Sequence, residues 1–252
     1  MCKFFSFVGD GYGTFLYSNW EQRKESLNNN WDSHTKILTD NKIPPNMQDR
    51  WSKYEFNPLT KKFNIDEPVE GHDHQAAENW VNSLDFGKIV EPLIIKPIFN
   101  PLTGKAKKVT KKEIALLKEW NSVVDSVGDS VWDFVRNSVW DSVGDSVGDS
   151  VMDSVWDSVW NSVRHSVKHS VWDSVWDSVK HSVKHSVWDS VWDSVKHSVL
   201  AYVSSFFTIK YKHDFSSCIK LWESGFVPSF DGKTWRLHSG ESAQIVYTYK
   251  RK

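Results

Sequence analysis

A four-residue repeat occupies the middle of this 252-residue chain and constrains its fold more than any other feature. From about residue 121 to residue 200 the sequence repeats the tetrapeptide Ser-Val-x-Asp, in forms such as SVWD, SVGD, SVRH and SVKH. Ser and Val are nearly constant, the third position holds mainly Trp, Gly, Met, Arg or Lys, and the fourth holds Asp, Asn or His. So short a repeat buries apolar surface only by packing against its own copies, and it therefore dictates architecture rather than chemistry.

The period of four argues against one long α-helix. At 3.6 residues per turn each valine lies about 40° further round the helix than the last, so over the whole tract no face stays apolar. The residue types are also poor helix formers, roughly 0.5 kcal/mol per residue worse than Ala. The tract contains neither Glu nor Gln and, before Leu200, no Leu. We therefore expect an extended backbone.

An extended backbone turns each tetrapeptide into one side of a coil. Side chains alternate along a strand, so Val points inward, Ser and the third residue point outward, and Asp or Asn forms a corner. The third residues also return in register every sixteen residues, the length of one four-sided coil. The alternatives are a duplicated gene segment that gives this register without structural meaning, and irregular helices in place of coils.

The predicted fold class is mainly β. It is a four-sided β-solenoid of tetrapeptide repeats with about 16 residues per coil, flanked by a small α+β N-terminal domain and a small C-terminal α+β module. The predicted boundaries are 1–118 for the N-terminal domain, 119–208 for the solenoid and 209–252 for the C-terminal cap module. Pentapeptide-repeat proteins form such four-sided β-helices, and the chain resembles them in architecture only, because their A(D/N)Lxx pattern is absent.

The third positions supply the candidate binding surface. Large exposed apolar patches usually mark partner surfaces, so columns of tryptophan on a coil predict contact with a protein partner or with a second copy. The predicted binding residues are Trp140, Trp156, Trp172 and Trp188 in one column and Trp160, Trp176 and Trp192 in the next. A secondary basic and histidine surface comprises Arg164, Lys168, Lys180, Lys184, Lys196, His165, His169, His181, His185 and His197.

The charge of the tract disfavours nucleic acid. Residues 121–160 carry a net charge of −7 and residues 161–200 a net charge of +1 when histidine is neutral. Binding to phosphates requires an excess of Lys and Arg, so a net −6 tract is a poor general DNA binder. A role as a nucleic-acid-binding accessory protein stays a possible alternative.

The sharpest enzymatic alternative concerns Cys2. Removal of Met1 would leave Cys2 as an N-terminal thiol whose own α-amine can act as base, which is how N-terminal cysteine amidohydrolases work. The glycine that usually follows such a cysteine is absent, and a buried strand cysteine explains the same residue equally well. We expect a protein that is not an enzyme, with Cys2 as the nucleophile of the alternative.

Two histidine clusters are further candidates for a metal site or for acid–base chemistry. His72 and His74 with Asp73, and Asp32 with His34, could bind a metal or supply acid–base groups. No third ligand is fixed by their spacing, so we interpret them as loop histidines and expect no metal and no cofactor.

The flanking segments predict ordinary α+β elements. Thr110 and Glu113 form a capping box before a helix. The predicted elements are hairpins over 3–17 and 54–65, helices over 21–27, 76–84, 111–120 and 218–222, an edge strand over 88–99, and strands over 234–237 and 244–249. The sequence holds no apolar run of membrane-spanning length, so we expect a cytoplasmic protein without membrane contact.

Three stretches carry a resemblance to known sequences. These are the opening MCKFFSFVGDG, the segment EPLIIKPIFNP over 91–101, and LWESGFVPSFDGKTWRLHSG over 221–240. With the tetrapeptide array, they resemble uncharacterised proteins of tailed bacteriophages and their bacterial hosts. The resemblance implies a phage context and no particular activity. We therefore expect a non-enzymatic repeat scaffold or interaction protein.

Overall fold

The computed structural model describes residues 5–19, 22, 33–127, 133, 135, 137–139, 147–149, 151–157 and 195–251. Within these ranges the fold is mixed α+β, with one four-stranded and one three-stranded antiparallel sheet. The chain divides into two compact units built from discontinuous segments. The described residues of 5–97, 137–154 and 206–209 belong to unit 1, and those of 98–136, 155–205 and 210–251 belong to unit 2.

The tetrapeptide tract is helical wherever it is described, so the predicted β-solenoid is wrong for these residues. Residues 121–127, 137–139, 147–149, 151–157 and 195–200 all have helical backbone. The drift of the valines is harmless in a short helix, because three tetrapeptides rotate them by only about 80°. Burial of that apolar stripe then outweighs the weak helix propensity of the individual residues.

The valines of the tract do point inward, as predicted, but from helices. Eight described valines at the second position are buried: Val127, Val135, Val139, Val147, Val151, Val155, Val195 and Val199. The aspartates at the fourth position lie on the opposite side of each helix, and Asp133, Asp153 and Asp157 are exposed. The pattern therefore records the burial of these valines correctly while leaving the backbone geometry open.

The serines of the tract were expected to point outward, and two of them do not. Ser154 and Ser198 are buried. The Ser198 hydroxyl donates to the carbonyl of Val195 at 2.8 Å, and the Ser154 hydroxyl accepts from the Asn57 side-chain N–H at 2.8 Å. These bonds give each buried hydroxyl a partner, so serine can enter the helix interface without an unpaired polar group.

Unit 1 is built around a four-stranded sheet of order β2-β1-β3-β4. Its elements are β1 (Phe5–Gly9), β2 (Phe15–Leu16), α1 (His34–Asp40), a 3-10 turn (Pro45–Arg50), β3 (Ser52–Asn57), β4 (Lys62–Glu67), α2 (His74–Asn82) and α3 (Phe86–Ile89). Both predicted hairpins are confirmed by the antiparallel pairs β1–β2 and β3–β4. Phe7 stacks on Tyr54 at 4.9 Å on one face of the sheet, while Val8 packs with Ile37 and Leu38 on the other.

The segment predicted as an edge strand over 88–99 is not one. Helix α3 occupies its start, and only Leu93 forms a bridge, with Phe207. Pro92 and Pro97 lack the N–H groups that a longer ladder would need. The segment is held instead by single bonds such as that from Ile94 N–H to the Phe206 carbonyl at 2.8 Å.

Unit 2 combines helices with a three-stranded sheet of order β5-β6-β7. Its elements are α4 (Lys111–Val127), α5 (Ser216–Glu223), β5 (Val227–Phe230), β6 (Thr234–Ser239) and β7 (Gln244–Lys250), besides the helical stretch 195–204. The capping box is confirmed, since the Glu113 carboxylate accepts from Thr110 N–H at 3.0 Å. The helix that it starts runs past Trp120 to Val127 and so carries the first tetrapeptides.

Indole groups anchor the core of unit 2. The Trp222 ring stacks on Tyr202 at 4.9 Å, and its N–H donates to the carbonyl of Phe99 at 2.9 Å. The Trp235 N–H donates to the Asn121 side chain at 2.7 Å. These bonds satisfy the polar end of each buried ring. None of the described helices has the length and apolarity that crossing a membrane requires.

Candidate functional site

The loop between β1 and β2 presents a tyrosine to solvent. The Tyr12 side chain is 94% exposed, more than any other large apolar side chain in the described residues. Gly11 and Gly13 on either side have φ angles of 78° and 99°, which glycine adopts without the steric cost that other residues incur. The ring of Tyr12 therefore stands out between two residues without side chains.

The backbone of this loop is fixed by Asp10. The Asp10 carboxylate accepts from Tyr12 N–H at 2.8 Å and from Thr14 N–H at 3.0 Å, and Asp10 N–H donates to the Thr14 carbonyl at 3.2 Å. Partial burial of the carboxyl opposes its ionisation, but these hydrogen bonds outweigh burial and lower the pKa of Asp10. We call residues 10–14 the Tyr12 loop.

The His72 ring packs against the Tyr12 loop at Gly11. A Cβ added to Gly11 would lie 2.3 Å from the His72 ring, so only glycine allows this approach. His72 Nδ1 lies 2.8 Å from the Ser52 hydroxyl, whose oxygen accepts from Val69 N–H at 2.9 Å. The Ser52 hydroxyl therefore joins the His72 ring to the backbone N–H of Val69. The Tyr12 loop thus rests on a hydrogen-bonded platform.

The other histidines predicted as candidate ligands also have structural contacts. His74 Nδ1 lies 2.9 Å from the Tyr54 hydroxyl, and His34 Nε2 lies 3.0 Å from the Tyr54 carbonyl oxygen. Burial is the main cause that raises the pKa of the Tyr54 hydroxyl. No group of three or more His, Cys, Asp or Glu side chains within the described residues could hold a metal ion.

The loop assignment of these histidines is only partly correct. His72 lies in a loop, whereas His34 and His74 are the first residues of α1 and α2, and Asp32 lies outside the described residues. The Asp73 carboxylate caps α2 by accepting from Ala76 N–H at 2.9 Å, which explains its position beside the two histidines.

A serine–histidine pair in unit 2 was not predicted from the sequence. The Ser229 hydroxyl lies 2.7 Å from His238 Nε2, and His238 Nδ1 lies 3.0 Å from the carbonyl oxygen of Ala243. The carbonyl accepts the Nδ1 proton, so Nε2 accepts from Ser229 in the order found in hydrolases. Ser229 lies on β5 and His238 on the neighbouring strand β6, so the spacing of the two residues in the sequence does not predict their contact.

Burial determines what the Ser229–His238 pair can do. Ser229 is 3% exposed and His238 is 6% exposed, so neither group reaches a substrate as placed. Burial, with a smaller effect of the Arg236 charge, lowers the pKa of His238 to about 4. Cys218 is likewise buried, and burial raises the pKa of its thiol well above the usual value. These groups serve packing in the described geometry.

Most residues of the predicted tryptophan and histidine surfaces lie outside the described residues. Trp156, Lys196 and His197 are described, and all three are half-buried on helices rather than stacked on coils. The coil geometry predicted for these three positions is therefore wrong, whereas their role in binding a partner stays a prediction. The predicted residues outside the described ranges are Cys2, Trp140, Trp160, Trp172, Trp176, Trp188, Trp192, Arg164, Lys168, Lys180, Lys184, His165, His169, His181 and His185.

Comparison with known proteins does not assign this chain to a family. Neither a family model, nor a curated protein, nor a solved structure matches the chain. The resemblance to phage proteins therefore stays a prediction, and the Tyr12 loop is the best-defined basis for a functional proposal.

Proposed function

We propose that this chain is a non-enzymatic interaction protein that binds a protein partner through the Tyr12 loop. The observation that carries the proposal is a 94% exposed tyrosine on a loop whose backbone is already fixed by Asp10 and His72. Tyrosine is enriched among the residues that dominate binding energy, because its ring is apolar and its hydroxyl can bond at the rim. A fixed loop loses little conformational entropy on binding.

The chemistry of the loop favours a protein pocket over nucleic acid. Residues 10–14 contain one carboxylate, one aromatic ring and no Lys or Arg. Stacking of a base on Tyr12 would place a phosphate backbone near Asp10 without a cation to neutralise it. An apolar pocket with a polar rim matches the ring and hydroxyl of Tyr12 without that repulsion. The nucleic-acid alternative stays the weaker one.

The competing enzymatic hypothesis depends on Cys2 alone. Intact-mass analysis separates the two, because retention of Met1 would deny Cys2 the free α-amine that the hydrolase mechanism needs. The buried positions of Ser229, His238 and Cys218 support the binding hypothesis, since none offers a second accessible nucleophile in the described geometry.

We expect the substitution Tyr12→Ala to weaken partner binding at least 30-fold. Truncation of a central aromatic anchor typically costs about 2 kcal/mol or more, which corresponds to that factor in Kd. The partner would be captured from cells that produce the protein naturally, purified, and titrated calorimetrically against the full chain and its variants.

Two further variants give this titration its controls. Tyr12→Phe should keep most of the affinity, since the ring supplies the main contact. Met47→Ala removes another exposed apolar side chain, on the 3-10 turn, and should leave the Kd unchanged. Wild-type affinity in Tyr12→Ala, with a loss in Met47→Ala, would refute the assignment of the binding surface.

A further inference from the structure

Strand β4 forms one edge of the four-stranded sheet. It pairs with β3 on one side, and no described strand pairs with its other side. Five of its six residues are exposed, and Phe63 is half-buried. An exposed edge offers unpaired N–H and C=O groups to another strand, so β4 is a template for strand addition.

A bulge rearranges the side chains of this edge. The register pairs Tyr54 with Ile65 and Lys53 with Glu67, which leaves Asp66 as the extra residue. Phe63 and Ile65 therefore share one face of the sheet. Lys62, Asn64 and Glu67 share the other face, although in a regular strand Lys62 and Glu67 would point to opposite faces.

The sequence of β4 is complementary to itself in an antiparallel pair centred on Asn64. In that register Asn64 faces Asn64 of the second copy and Phe63 faces Ile65. By count Lys62 would face Asp66, but the bulge takes Asp66 out of the ladder, so Lys62 faces Glu67. A two-fold axis perpendicular to a sheet requires residues opposite each other to lie on the same face, and the bulge at Asp66 meets this condition for the charged pair. One register therefore pairs the apolar side chains with each other and the opposite charges with each other.

The charges on this edge are arranged to continue across the two-fold axis. Glu67 is 63% exposed along its side chain and already forms an ion pair with Lys53 at 2.5 Å. Lys62 of a second copy would lie on the open side of Glu67 and extend the row as Lys53, Glu67, Lys62. Ile65 is 37% exposed and would gain Phe63 of the second copy as its cross-strand neighbour.

We propose that two copies of this chain pair through β4, edge to edge and antiparallel, to form one continuous eight-stranded sheet. Six residues from each copy make a small interface, so the association is weak and depends on concentration. The proposal does not rest on the Tyr12 loop, which lies at the β2 side of the same sheet, so either can fail without the other.

A charge reversal tests the pairing in solution. Sedimentation velocity of the full chain should show a monomer–dimer equilibrium in the wild type and at least a tenfold weaker one in Lys62→Glu, which places a second carboxylate opposite Glu67. The double variant Lys62→Glu/Glu67→Lys restores opposite charges and should recover the affinity to within about threefold. Lys42→Glu makes the same charge change at another exposed site and should behave as the wild type.

A covalent test decides the register and stands even if the double variant fails to fold. Residue 64 faces its own copy at a Cα separation of about 5 Å, within disulfide range. In a Cys2→Ser background Asn64→Cys should form a disulfide-linked dimer on mild oxidation, at least fivefold more than Lys42→Cys. A wild type that stays monomeric, or equal yields at positions 64 and 42, would overturn the proposal.

Discussion

Acidification from pH 7 to pH 4.5 should lower the free energy of unfolding by about 2 kcal/mol through His238 alone. Burial, with a smaller effect of the Arg236 charge, lowers the pKa of His238 to about 4, although the Ala243 carbonyl partly opposes the shift. In the unfolded chain the pKa of His238 is near 6.5, so between pH 6.5 and pH 4 the unfolded chain binds a proton that the folded chain does not. The contribution of His238 to the free energy of unfolding is therefore fully present above about pH 6.5 and is lost as the pH drops towards 4.

Urea unfolding at pH 7.0, 5.5 and 4.5 measures this effect as a difference between the wild type and His238→Asn. Asparagine can still bond Ser229 and the Ala243 carbonyl, but it does not titrate. The carboxyls with lowered pKa values, such as those of Asp10, Glu113 and Asp231, lose their contribution only at lower pH. The same pH dependence in both proteins would show that His238 accepts a proton in the folded state.

The substitution Gly240→Ala should lower the free energy of unfolding by more than about 3 kcal/mol. A Cβ at Gly240 would lie 2.6 Å from the backbone nitrogen of Ala106, and the φ of Gly240 is 75°. Backbone atoms cannot rotate away as a flexible side chain can. The stretch of chain at 104–107 is also held in place, because Glu241 N–H donates to the Gly104 carbonyl at 2.9 Å.

Gly232→Ala is the matched control for this clash. Gly232 has a similar φ of 85°, but a Cβ there meets no atom within 4 Å. It should therefore cost only the backbone strain of a left-handed alanine, about 1 kcal/mol. Thermal and urea unfolding of the two variants separates steric contact from strain, and equal losses would mean that residues 104–107 move aside freely.

The turns and caps of this fold could be predicted because their chemistry is local. Thr110 and Glu113 are three residues apart, and their hydrogen bonds occur within one helical turn. The Asp231 side chain likewise accepts from Lys233 N–H and Thr234 N–H, as expected of an Asp-Gly turn. Such features require no knowledge of the rest of the chain.

The repeat misled the prediction because one period fits two backbones over short distances. A period of four is incompatible with a long straight helix, yet two or three turns keep Val151 and Val155 on one buried face. The drift of the valines argues only against one straight amphipathic helix through the whole tract, and it leaves irregular helices open. Local burial was the reliable signal, and backbone type was decided by tertiary packing.

The candidate site was visible in the sequence only as a turn. Asp10-Gly11-Tyr12-Gly13 predicts a hairpin loop, and the glycines on both sides of a tyrosine were a usable sign of an exposed ring. The support comes from Ser52 and His72, which lie about forty and sixty positions further along the chain. Such contacts are set by sheet register, which brings Gly9 opposite Ser52.

Photo-crosslinking at residue 12 tests most directly whether Tyr12 contacts a protein partner. A benzophenone amino acid would replace Tyr12 in the full chain, with the same group at Met47 as the control, and both proteins would be irradiated in the cells that produce them. We predict a discrete heavier adduct at position 12, absent at position 47, whose peptide map joins residue 12 to one other protein. No adduct at position 12, or the same adducts at both positions, would contradict the claim.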